Sequence, residues 1–187
     1  KVELGNMDNV NVCKELVITI YNNMDASHDY QHIERVYKNA ETILQSEPQA
    51  DALIVRLAVL LHDVSDAKYA QTKEAEERIL QKLDLTDEQR QHIRDIIASV
   101  SFNGGNELEA KTIEAKIVRD ADRLDAIGAV GIARTFAYGG AKGRKLYDDA
   151  EEARTDMSVE QYRTKSTASV THFYEKLLLL KDLMVTE

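Results

Sequence analysis

The chain has 187 residues with 24 Lys and Arg against 33 Asp and Glu, and its net charge of −9 excludes a general nucleic-acid or membrane-surface binder. One proline, eight glycines and an excess of Ala, Leu, Glu, Lys, Arg and Gln point to an all-helical fold, long enough for one domain spanning residues 1–187. The single cysteine, Cys13, cannot form an internal disulfide, and no apolar run reaches about 18 residues, so a cytoplasmic protein is expected, with a trimmed leader before Lys1 left open.

Residues 1–8 read as a frayed start, and a first helix is predicted over 10–23. Asp25 and Ser27 are candidate N-caps for a second helix over 29–45. Its apolar stripe is Val36, Ala40 and Ile43. His32 lies on that stripe one turn before Val36, so it should point inward. His28 falls one turn earlier on the same side, and Arg35 borders it.

After Ser46-Glu47-Pro48 comes the most apolar run of the chain, residues 53–61, interrupted only by Arg56. Its apolar side chains point in nearly every direction, as in a helix buried on most sides. His62 and Asp63 stand side by side where it ends. A buried carboxylate needs a partner, and a helix C-terminus favours positive charge, so this stretch asks for a cation. A further helical turn would bring Asp66 to the same side, with Lys68 just beyond. Arg56, two turns back, would then reach the Asp63 carboxylate.

Helices are predicted over 73–83 and 87–100, the second capped by Thr86, followed by a turn-rich loop at 101–106. A long helical pattern then runs over 109–137 and carries Asp120, Asp122 and Asp125. The helical wheel puts Asp120 on the stripe of Ile113, Ile117 and Leu124, and Asp122 and Asp125 on a second face with Val118 and Ala129. It does not choose among the three. Residues 138–145, glycine-rich and basic, read as a mobile loop that touches an anion through Lys142 and Arg144. A charged link at 148–156 is too short to separate two domains. Last helices are predicted over 159–167 and 170–185, the final one with a stripe of Phe173, Leu177, Leu180 and Met184.

Two imidazoles, His32 and His62, with Asp63 and one later aspartate make a nitrogen and oxygen donor set suited to Mn, Fe, Co, Ni or Zn. The phrases Ser27-His28-Asp29-Tyr30-Gln31-His32, Leu61-His62-Asp63, Ser101-Phe102, the run from Asp120 through Asp122 and Asp125 to Gly128, and His172-Phe173-Tyr174-Glu175-Lys176-Leu177 occur in order. This set resembles the HD-domain metal-dependent phosphohydrolases, and within them a bacterial nucleotide pyrophosphohydrolase-like branch. The resemblance implies an all-α HD-domain helical bundle with additional C-terminal helices. It selects Asp122 as the fourth metal ligand beside His32, His62 and Asp63. It also implies cleavage of nucleoside triphosphates, preferably deoxy, to monophosphate and pyrophosphate.

Ile97-Ala98-Ser99-Val100 lacks the histidines of relatives that bind two metals, so one divalent ion is expected, manganese first, with Ni, Co, Fe, Zn or Mg as alternatives. On this reading Asp66 orients or deprotonates the attacking water, while Lys68 and Arg35 hold phosphate oxygens. His28 contacts substrate or supports His32. Lys142 and Arg144, with Lys165 and Lys176 behind them, serve the pyrophosphate end. The expected partner is a small-molecule nucleotide, not a nucleic-acid polymer or a membrane, and a homo-oligomer stays open. The competing functions are a nucleotide phosphomonoesterase and a non-catalytic nucleotide-binding regulator. Taken singly, His62-Asp63 would read as an exposed helix end, and Asp125 and His172 as packing residues.

Overall fold

The computed structural model describes residues 2–24, 28–65, 73–100, 102 and 107–187. The described residues are helical and contain no strand. In chain order the helices are α1 (Val2–Tyr21), α2 (Tyr30–Ser46), α3 (Ala52–Leu61), α4 (Lys73–Lys82), α5 (Asp87–Val100), α6 (Ile113–Leu124), α7 (Gly128–Ala141), α8 (Val159–Thr164) and α9 (Ser169–Glu175), with a final 3-10 helix at Leu177–Leu183. None is long and apolar enough to cross a membrane.

The apolar run forms the central helix. α3 packs against α1, α2, α5 and α6, and Leu57, Ala58, Val59 and Leu61 are fully buried. Asp51 caps it by accepting from the backbone N–H groups of Leu53 and Ile54 at 3.0 and 3.3 Å. At its other end the Tyr21 hydroxyl donates to the Leu60 carbonyl at 2.8 Å, tying α1 to the point where His62 and Asp63 emerge. Arg56 does not reach Asp63. It is half-buried, and its guanidinium forks onto Glu41 of α2 at 2.6 and 3.0 Å.

Several boundaries differ from the sequence reading. α1 begins at Val2, well before the predicted start. Asn9 anchors it by donating to Asp84 O and accepting from Asp84 N, both at 2.9 Å. α2 is capped by Asp29, which accepts from His32 N at 3.1 Å; the candidates Asp25 and Ser27 lie outside the described residues. The long pattern over 109–137 is two helices. Residues 125–127 turn, and Gly128 takes a φ of +73°, a left-handed conformation that costs glycine little. The return is so tight that a Cβ on Gly131 would run into the backbone of Ala126.

Tyr138-Gly139-Gly140-Ala141, expected in a mobile loop, is the last turn of α7, which Lys142 caps before Gly143 with a φ of +65°. The predicted final helix is likewise broken, because Lys176 leaves helical geometry between α9 and the 3-10 helix. Of its expected stripe only Leu180 is fully buried. The chain end is fastened by buried Asp120, which accepts from Val185 N at 2.9 Å, Thr186 N at 2.7 Å and the Thr186 hydroxyl at 2.6 Å. Asp120 is thereby a structural acid.

Candidate metal centre

Three consecutive structural facts bring four donors together. α2 aims His32 inward, where it is 1% exposed. α3 stops at Leu61, so His62 and Asp63 leave the buried helix on its last turn. α6 packs against α2, carries Asp122 on its final turn and is capped at its C-terminus by Asp125.

The two imidazoles are oriented from behind. His62 Nδ1 lies 2.7 Å from the Val59 carbonyl, which can only accept, so Nδ1 carries a proton and Nε2 faces forward. His32 Nδ1 lies 2.6 Å from Asp125 Oδ2. Asp125 is itself held by Arg35, whose Nε and Nη2 donate at 2.7 and 3.1 Å, and by Arg134 at 3.1 Å. A carboxylate behind a ligating imidazole fixes its tautomer and raises its basicity.

In front, His32 Nε2 stands 3.5 Å from Asp63 Oδ2 and 3.4 Å from Asp122 Oδ1. His62 Nε2 stands 3.6 and 3.4 Å from the same two oxygens. These distances exceed a good hydrogen bond, and buried His62 Nε2 has no hydrogen-bond partner among the described residues. They lie at or slightly above the upper end of the edges of a coordination polyhedron, since donors about 2.1 Å from one ion stand roughly 3.0–3.4 Å apart at octahedral to tetrahedral angles. His32, His62 and Asp63 offer donor atoms all within 4.8 Å of one another, a group able to hold a metal ion.

The electrostatics ask for the same positive charge. Burial lowers the pKa of both imidazoles, but the carboxylates outweigh it. Asp122, Asp125 and Asp63 raise His32 to about 10, and Asp63 and Asp122 raise His62 to about 9. Conversely, burial raises the Asp63 and Asp122 carboxyls, yet the imidazoles hold both well below the usual carboxylate range.

The four donor side chains line a cavity of about 400 Å³. His28 lines it too, with its ring edge-on to His32 and Tyr138 at 6.0 and 5.8 Å between centroids. Arg144, Lys165, His172 and Lys176 also lie on the lining. Two expected substrate contacts do not. Arg35 is committed to Asp125 behind His32, because the helical wheel gave its direction but not its partner 90 residues away. Lys142 follows the end of α7 and lies outside the lining, with its ammonium 5.7 Å from the centre of the Tyr138 ring. Asp66 and Lys68 lie outside the described residues. The sequence reading missed Arg123, Arg134, Arg163 and the aromatic residues Tyr138 and Tyr162, all on the lining. The i, i+3 spacing of Asp122 and Asp125 was the available signal for a second inward acid; nothing local marked Arg134.

The HD domain family pattern matches residues 29–127, a span that includes His32, His62, Asp63 and Asp122. The chain is 38% identical to Bacillus subtilis YpgQ over 177 residues, covering 91% of this chain and 78% of that protein. A Lactobacillus plantarum crystal structure superposes with a TM-score of 0.88 at 33% identity, covering 96% and 85% of the two chains. The crystal structure of YpgQ in complex with ADP superposes with a TM-score of 0.74 at 33% identity, covering 98% and 84%. An HD-superfamily hydrolase from Bacillus thuringiensis does so with a TM-score of 0.69 at 39% identity, covering 97% and 85%.

Proposed function

The chain belongs to the HD domain family, and on that premise we propose that it is a metal-dependent phosphohydrolase that cleaves nucleoside triphosphates, preferably deoxy, to monophosphate and pyrophosphate. The observation that carries this reading is that His32 Nε2 and His62 Nε2 each stand 3.4–3.6 Å from an oxygen of Asp63 and of Asp122, on a cavity that also gathers arginines and lysines. An acidic chain that concentrates basic side chains on one cavity is suited to an anionic substrate. The ADP complex of YpgQ supports a nucleotide as that anion, and the Bacillus thuringiensis relative supports hydrolysis.

His32, His62, Asp63 and Asp122 would hold one divalent ion, manganese first, with Ni, Co, Fe, Zn or Mg as alternatives. When bound there, such an ion neutralises phosphate oxygens and acidifies water. Asp125 keeps the His32 Nε2 lone pair aimed forward, and the Val59 carbonyl does the same for His62. His28 and Arg144 contact the nucleotide. Asp66 is assigned to take the proton of the attacking water, and Lys68 to hold a phosphate oxygen. The water oxygen bonds to the α-phosphorus, the α–β bridging bond breaks, and its electron pair leaves on pyrophosphate. Residues 1–187 act as one unit, since α1 completes the core and the segments after α6 supply much of the cavity lining. The buried free Cys13 suits a reducing compartment, and we assign the cytoplasm.

Product analysis tests the proposal. The full chain, supplied with manganese and a panel of nucleoside and deoxynucleoside triphosphates, is expected to release monophosphate and pyrophosphate in equal amounts. Orthophosphate alone, with monophosphates consumed, would favour the phosphomonoesterase. Nucleotide binding without turnover of any panel member would leave a regulator.

A further inference from the structure

Arg123, Arg134, Arg144 and Arg154 line the cavity, and these four fall into two groups. Some are already committed to protein acceptors. Arg134 pairs with Asp125. Arg154 is forked onto buried Glu175 at 2.9 and 3.0 Å and also donates to the carbonyls of Gln161 and Lys165. That spends its donors on holding the segment that carries Tyr162, Arg163 and Lys165.

Arg123 and Arg144 differ. Arg123 follows Asp122 directly and is 6% exposed. Its Nη1 donates to the Leu183 carbonyl at 2.8 Å, while its buried Nε has no partner among the described residues. The neighbouring acid Asp120 has its oxygens occupied by Val185 and Thr186. Arg144 lies over the Tyr138 ring, 5.1 Å from its centre, and its buried Nε is likewise without a partner among the described residues. Both line the cavity. Leaving a buried donor without an acceptor is costly, and more so on a charged group. Two such donors on one cavity point to acceptors that arrive with the ligand.

We propose that Arg123 and Arg144 clamp a phosphoryl group one phosphate beyond the one at the metal centre, so that the site selects condensed phosphates over phosphomonoesters. The planar guanidinium fork suits phosphate oxygens, and the tie to Leu183 fixes one fork in advance. As the bridging P–O bond breaks, its electron pair moves onto the clamped phosphate, where fixed positive charge is most effective. The clamp deepens the hydrolase reading, on which it rests for the identity of the attacked phosphorus.

Calorimetry of the manganese-loaded full chain with inorganic pyrophosphate, and separately with orthophosphate, tests the clamp without relying on turnover. Wild type is expected to bind pyrophosphate at least about tenfold more tightly than orthophosphate, and Arg144→Gln and Arg123→Lys each to weaken pyrophosphate by about tenfold or more, with orthophosphate changed less. Should Arg123→Lys fail to fold, as its Leu183 contact allows, Arg144→Gln decides alone. Equal wild-type affinity for the two anions, or unchanged pyrophosphate affinity in the folded variants, would overturn the clamp. Pyrophosphate release from triphosphates with no effect of the variants would spare the hydrolase and sink the clamp. Selective, variant-sensitive pyrophosphate binding without triphosphate cleavage would do the reverse.

Discussion

Asp125 shows how much of a site can rest on a residue that is not itself a donor. Its carboxylate joins His32, Arg35 and Arg134 behind the metal centre. Replacing it by asparagine keeps the size but removes the charge that makes the imidazole a strong donor. Asp125→Asn is therefore expected to weaken manganese affinity by about 10–100-fold, read by competition with a chelator, while the protein stays folded. His32 was legible as an inward-facing residue because it sits on the apolar stripe of its helix, and His62 and Asp63 drew notice because they close the most apolar run of the chain. The choice of Asp122 came from resemblance, since the wheel put Asp122 and Asp125 on one face. Their different neighbours separate them: Asp122 faces both Nε2 atoms, Asp125 faces Nδ1. Arg35 was misread because its partner is brought in by tertiary packing of α6 on α2, which no local spacing encodes.

At the scale of elements, periodicity located the helices better than it located their ends. α3, α4 and α5 fall within a residue or so of the predicted spans, because each is bounded by clear polar or capping residues such as Asp51 and Thr86. The break between α6 and α7 was invisible because helical phase continues through residues 125–127, and the one cue, Gly128, resembles any glycine in a helix. The break matters, since it turns the chain immediately after the site so that α7 can contribute Arg134 and Tyr138 to the cavity. Gly131 is the residue that the tight return demands. Gly131→Ala drives a methyl into the Ala126 backbone, which cannot yield as a flexible side chain would. It is expected to cost about 1–3 kcal/mol in chemical denaturation, despite the higher helix propensity of alanine. Gly140→Ala, with open space at the same helix, should be neutral or slightly stabilising in the same measurement.

For the whole molecule, the opposing charges of the metal centre make stability depend on pH in a way that ion binding reverses. In chelator-treated protein the folded-state pKa values of His32 and His62 are raised, to about 10 and about 9, from an unfolded value of 6.5. Their contribution is fully present below pH 6.5 and is lost as pH rises through the folded values. Asp63, Asp122 and Asp125 are shifted the other way, so their contribution is present above the unfolded value of 3.8 and is lost as pH falls below it. Stability without an ion should therefore peak in mildly acidic to neutral solution and decline toward alkaline pH. A bound cation requires neutral imidazoles and must displace their protons, so its affinity increases over the same alkaline range. Since a ligand of the native state stabilises in proportion to the logarithm of its concentration over its dissociation constant, manganese should raise the melting temperature more at about pH 8.5 than at about pH 6. Melting curves with chelator and with manganese at the two pH values check this. A manganese effect that is equal at both, or larger in acid, would mean that the imidazoles of residues 32 and 62 do not give up protons to the ion.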